Sequence, residues 1–312
     1  FDGHRYGVLA VALLATNTRL WTHAGHVNTE ITGLMLVVLA CWSLWRALRE
    51  PATWKFGLAG LILSVAILTR SVLVMLLPFC LGTILFLRSH TWKARLSWAS
   101  LYLIVLSIPL IGWSVRNSLI AGQLVLLSTQ GPVALLGGYT RACLEAGGRW
   151  LPSGDQPFAQ ALQNAGGGGA EWERARKARE ILPGLLARNW RLVPQLMAIK
   201  VWKAFPMPLI RGGLNEITDA LVFYPAVVGA ALTRQNKLRR IALALIAGAF
   251  CAFAFFYAVP RFRLPMLPAL ALLSAALVHR LERRTQKADT GALAPPASSS
   301  DLTSPEKKKD PR

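Results

Sequence analysis

The chain has 312 residues, 54% hydrophobic and 16% charged, with a mean hydropathy of +0.41. Soluble domains carry roughly 25% charged residues, so this balance, with apolar runs near bilayer-crossing length, excludes a soluble enzyme and indicates a multi-span membrane protein. The net charge of +20 comes from 35 Lys and Arg against 15 Asp and Glu; on such a chain it reads as basic residues gathered on one membrane face, not as a nucleic-acid site.

Eight apolar runs can be drawn, at 6–20, 28–48, 56–70, 71–87, 96–114, 216–233, 241–258 and 264–280. The expected fold is therefore all-α, a polytopic membrane helical bundle of about eight spans. The chain opens on Phe1 just before the first run, with no basic leader, and is expected to lack its true N-terminus.

Behind the first run, His23, His26 and Glu30 recur at i, i+3 and i+7. That spacing aligns them on one helical face and could hold zinc or manganese; no other cofactor is expected. Glu30 is the lone carboxylate at the edge of the first five runs. A carboxylate there faces a cavity or a partner, although beside Asn28 or Thr29 it also suits an ordinary helix start.

The third and fourth runs meet at Arg70-Ser71 without a loop, which predicts a tight helical hairpin. Arg70, apolar on both sides, needs an anion, a carbonyl or water, or snorkels to the headgroups. The fifth run leaves the membrane at Arg116-Asn117 and starts the only long connection. In it, NAGGGGAEWE (164–173) reads as a flexible loop. The following ERARKAREILPGLLARNWRLVPQLMAIKVWKAF reads as amphipathic helix broken near Pro183 and Pro194, lying on the membrane surface.

Between the last two runs, Arg261 and Arg263 straddle Phe262. If extended, the two guanidiniums project to one side and together suit a phosphate. The Pro/Ser/Ala-rich C-terminus cannot bury a core and is expected to be disordered. Cys41, Cys80 and Cys251 lie in apolar runs and Cys143 in a polar stretch, so no disulfide is expected.

Every second connection is basic: Arg46, Arg49 and Lys55; Arg88, Lys93 and Arg95; Arg234, Lys237, Arg239 and Arg240; Arg280, Arg283, Arg284 and Lys287. These read as cytoplasmic. The opposite face receives His23, His26, Glu30, Arg70, Arg116, Arg261 and Arg263. The expected organisation is N-terminal membrane helices (1–115), a non-cytoplasmic segment (116–215), C-terminal membrane helices (216–285) and a cytoplasmic tail (286–312).

Several stretches, in order over residues 3–280, carry a family likeness: HRYGVLAVALLATNTRLW with NTEITGLMLVVLACWSLWRAL, GLAGLILSVAILTRSVLVMLLP, GWSVRNSLIAGQLVLLSTQGPVALLGGY and VPRFRLPMLPALALL. The chain resembles membrane-embedded glycosyltransferases of the GT-C type, in particular bacterial relatives of the dolichyl-phosphate-mannose–protein mannosyltransferases and the aminoarabinose transferases. The resemblance implies transfer of a sugar from a polyprenyl-phosphate donor to a hydroxyl of a lipid, glycan or protein acceptor. That chemistry would take place on the non-cytoplasmic (periplasmic or extracellular) side of the inner, or plasma, membrane.

In that scheme Arg70, Arg116, Arg261 and Arg263 hold the lipid phosphate, Glu30 lines the site, and neither a nucleotide sugar nor nucleic acid takes part. Two departures stand out. The family's catalytic aspartate lies in a first outer loop that is absent here, and the asparagine that relatives often carry after the glycines is missing. The alternative class is a transporter or flippase of a lipid-linked sugar, which would need functional charges from both halves inside the membrane. A polymer ligase using a lipid diphosphate and a non-catalytic assembly partner are further readings.

Overall fold

A computed structural model describes residues 3–24, 29–87, 89–149, 171–232, 237–256 and 260–292, without the side chains of 3–4, 260–262 and 287–292. Arg88, Arg234, most of the glycine-rich loop and the tail from 293 lie outside the described residues. The described residues are 86% helical and contain no strand.

The N-terminal helices are α1 (Gly3–Ala15), α2 (Thr18–Ala24), α3 (Thr29–Arg49) and α4 (Thr53–Thr69). A 3₁₀ segment (Ser71–Leu76) then leads into α5 (Leu77–Leu85) and α6 (Trp92–Ala121). The long connection holds α7 (Gln130–Gly138), α8 (Arg141–Glu145), α9 (Glu171–Arg188), α10 (Leu192–Ala204) and α11 (Pro208–Arg211). Last come α12 (Leu214–Leu232), α13 (Lys237–Phe255), a second 3₁₀ segment (Pro260–Met266) and α14 (Leu267–Ala292).

Among the described residues, four helical stretches are long and apolar enough to cross a membrane: α3, α6, α13 and Arg263–Gln286. Arg5–Ala15, α4 and Ser71–Leu85 are apolar but shorter. The expected count of about eight spans is therefore not confirmed. The local reasons are visible in the chain. Thr16 and Asn17 separate α1 from α2, Arg70 breaks the third run from the fourth, and buried Glu216 and Asp219 occupy the first turns of α12.

Close packing rests on small residues that let helix backbones touch. A Cβ on Gly60 would lie 2.4 Å from the Tyr102 carbonyl oxygen, so α4 runs tightly along α6, where Phe56 stacks on Trp98 at 4.9 Å. At Gly229 a Cβ would lie 2.1 Å from the Leu273 carbonyl oxygen, which seats α12 on α14. Gly229→Ala must push the two backbones apart, and we expect it to destabilise the fold by about 1–3 kcal/mol, read as a lowered unfolding midpoint in detergent.

The hairpin expected around Arg70-Ser71 takes another form. Arg70 is extended (φ −144°, ψ 103°), and after the 3₁₀ segment α5 packs on α13 and α6. The seam beside α4 is already filled by α6, while Gly248 of α13 leaves room for Leu76 and the Met75 carbonyl.

Contacts between helix termini sort the charges into two ends. At one, Lys237 donates to the Leu48 carbonyl, Arg240 to that of Phe86 (3.2 Å), and Arg95 to that of Leu85 (2.7 Å). Arg46, Arg49 and Lys55 belong to this basic end by their place beside Leu48. Arg19, Glu216, Asp219 and Arg263 are ion-paired at the other end, where α2 and the second 3₁₀ segment pack on α3.

Candidate functional site

At that second end Glu30 sits in the first turn of α3, where the helix dipole favours a carboxylate. Arg70, placed by the end of α4, brings Nη1 to 2.9 Å from Glu30 Oε1; the two side chains are 13% and 6% exposed. Gly33, one turn along α3, makes room for the arginine stem, since a Cβ there would lie 3.1 Å from Arg70 Cδ. Two residues that the sequence puts on one face thus form a largely buried ion pair.

Arg263 is not the open phosphate ligand expected from the sequence. It is 1% exposed, and each of its nitrogens is bound by protein acceptors. Nη1 lies 2.7 Å from Glu216 Oε1 and 2.8 Å from Asp219 Oδ2. Nε donates to the Ala204 carbonyl (3.0 Å), and Nη2 to those of Lys203 (2.9 Å) and Phe205 (3.1 Å).

Arg19 completes the cluster, with Nε 2.7 Å from Asp219 Oδ2 and Nη2 3.3 Å from Glu216 Oε1. Asn17 Nδ2 donates to Asp219 Oδ1 (3.1 Å), and the Met207 amide to Glu216 Oε2 (3.0 Å). Buried charges need this degree of pairing. The cluster ties α2, the end of α10, the start of α12 and the second 3₁₀ segment together.

The extended geometry assumed for Arg261 and Arg263 also gives way. Residues 260–266 form a 3₁₀ helix, in which positions two apart stand about two-thirds of a turn from each other. The Arg261 side chain lies outside the described residues. Arg116, near the end of α6, is exposed, donates to Asn117 Oδ1 (3.0 Å) and sits 5.8 Å from the Trp113 ring centroid.

The single helical face proposed for His23, His26 and Glu30 is not formed within the described residues. α2 ends at Ala24 and α3 begins at Thr29, and His26 lies outside the description. No group of three His, Cys, Asp or Glu is close enough to hold a metal among the described residues.

The site holds more acid than the sequence suggests. Glu216 and Asp219 join Glu30, and their signal was two carboxylates three residues apart at the head of an apolar run. Arg19 was hidden in the same way, as one basic residue at the end of the first run.

The long connection covers this end. Its amphipathic stretch breaks at 189–191 rather than at its prolines. Pro183 sits inside α9, and Pro194 falls in the first turn of α10, where backbone N–H groups have no intrahelical partner to lose. Trp190 and Trp202 are 63% and 60% exposed.

Lys200 of α10 is fully buried, donates to the Phe256 carbonyl (2.9 Å) and lies 3.7 Å from the Tyr139 ring centroid. Gly138 permits this approach, since a Cβ there would stand 3.3 Å from Lys200 Nζ and 2.5 Å from the Phe256 carbonyl oxygen. Burial pushes the ammonium down to about 8, against a smaller opposing pull from Cys143.

An unfolded lysine titrates near 10.5, so between about pH 8 and that value the unfolded chain binds more protons and stability rises with pH. Above pH 9 and pH 10 the raised Cys143 and Tyr139 act in the opposite sense. We therefore expect a gain of about 1 kcal/mol from pH 8 to 9 that is missing in Lys200→Met; equal slopes in pH-dependent unfolding would remove Lys200 as its source. Lys203, also lowered by burial, is common to both proteins and cancels in the comparison.

These observations define an all-α, membrane-type protein with buried acid–base pairs gathered at one end and a surplus of basic side chains at the other. Residues 1–113, which include Glu30 and Arg70, match the Dolichyl-phosphate-mannose-protein mannosyltransferase family, in agreement with the resemblance read from the sequence. The match points to a membrane glycosyltransferase. No curated protein and no solved structure matches the chain.

Proposed function

We propose that this protein transfers a sugar from a polyprenyl-phosphate carrier to an acceptor hydroxyl, at the end that carries the Glu30–Arg70 pair. The observation that carries the reading is the coincidence of that pair with the segment matching the mannosyltransferase family. In the reaction the acceptor oxygen bonds to the anomeric carbon as the bond from that carbon to the phosphate oxygen breaks. The electron pair leaves with the polyprenyl phosphate, and the acceptor proton goes to a base.

Charge grows on the departing phosphate, and a fixed cation beside it lowers the barrier. Arg70 is given that role, with Glu30 positioning it. Arg116, exposed at the same end, and Arg261 are assigned to the outer contacts of the phosphate. The Arg263 cluster holds the scaffold on which these residues stand. With basic residues inside, the reacting end faces the non-cytoplasmic side of the plasma membrane.

The direct test is to reconstitute the full chain in lipid vesicles with radiolabelled polyprenyl-phosphate sugar and a mixture of lipid, glycan and peptide acceptors. Label appearing in an acceptor supports the reading. Label that stays on the carrier but crosses the bilayer would replace it with flipping.

A further inference from the structure

A groove of about 710 Å³ opens between α1, α3, α13 and α14; its lining reaches Arg49 and Leu238 at the basic end and does not include Glu30 or Arg70. Its walls are almost wholly apolar, with Trp42, Trp45, Leu272 and the bare backbone of Gly7 among them, and Arg49 at its rim. A Cβ on Gly7 would meet nothing within 4 Å.

Arg49 and Arg46, in the last turn of α3, lie 5.4 Å and 5.7 Å from the ring centroids of Trp45 and Trp42. Neither makes a hydrogen bond or ion pair among the described residues. Their neighbours differ: Lys55 is paired with Glu50 (3.0 Å), Lys237 donates to the Leu48 carbonyl, and Arg240 donates to that of Phe86. Two carboxylates stand near the groove: Glu282 accepts from the Tyr6 hydroxyl at 2.6 Å, and exposed Glu50, bound to Lys55, also feels the charges of Arg46 and Arg49.

We infer that this groove is a binding site for an anionic phospholipid, its acyl chains along the apolar walls and its phosphate against Arg46 and Arg49. Charge complementarity selects this occupant. An apolar channel between membrane helices takes any hydrocarbon chain, but two guanidiniums held at its mouth by tryptophans favour a negative headgroup. A basic residue near an anionic headgroup contributes about fivefold in affinity, and two together about thirtyfold.

The test uses the full chain in neutral detergent, with native mass spectrometry counting bound phosphatidylglycerol and phosphatidylcholine of identical acyl chains. Preferential retention of phosphatidylglycerol is expected. The preference should fall about thirtyfold in the Arg46→Gln, Arg49→Gln double variant, and Gly7→Phe, which fills the channel, should lower binding of both lipids. Equal retention of the two lipids, or a preference unchanged in the double variant, would overturn the assignment. So would a groove closed by a second copy of the chain, seen as a lipid-free dimer that Gly7→Phe dissociates.

Discussion

Replacing Arg263 with Met is expected to lower the stability of the folded chain by about 3–5 kcal/mol, the cost of stranding a buried charge partner. Glu216 and Asp219 are 7% and 1% exposed, and Arg263 supplies a short contact to each. Three carbonyls at the end of α10 lose a donor at the same time.

Arg263→Lys should recover only part of the loss, because a single ammonium cannot reach acceptors arranged around a planar fork. Adding Asp219→Asn to Arg263→Met should restore some stability by leaving Arg19 one buried carboxylate to balance instead of two, a coupling that thermal unfolding in detergent would resolve. Wild-type stability in Arg263→Met would return Arg263 to the set of groups available for a lipid phosphate.

Arg70→Gln is expected to lower sugar transfer by about a hundredfold, the scale seen when one preorganised donor to a developing negative charge is removed. The change also leaves Glu30 without its cation, so unfolding must be measured alongside. Glu30→Gln separates the two effects: it keeps the shape and the Arg70 charge but loosens its aim, and a loss of about tenfold in kcat is expected from misplacement alone. If both variants fold normally and transfer at the wild-type rate, neither residue belongs to the mechanism and the proposed site lies elsewhere. A fall in stability with unchanged transfer would leave the pair as scaffold only.

The glycines act through the same scaffold. Gly33 accommodates the stem of Arg70 and Gly138 the ammonium of Lys200, so each opens space for a cation rather than for a turn. Nothing in their flanking residues signals this, because the space is needed by a side chain from another helix.

Local pattern was enough for the class of the protein, and for Glu30 and Arg70 as residues out of place in an apolar setting, because the cost of a charge near hydrocarbon is a property of the residue and its immediate neighbours. The family likeness was equally readable, as short ordered stretches along one strand of text. Pairing was not. Arg263 looked available because its partners Glu216 and Asp219 lie 47 and 44 positions away, and local periodicity carries no record of which distant charges meet. Only the packing of α2, α10 and α12 around the second 3₁₀ segment decided that one arginine is consumed in holding helices together, while Arg46 and Arg49, beside an open groove, make no hydrogen bond or ion pair among the described residues. An ion pair is set by the distance between charges, and in this chain that distance is a product of tertiary structure.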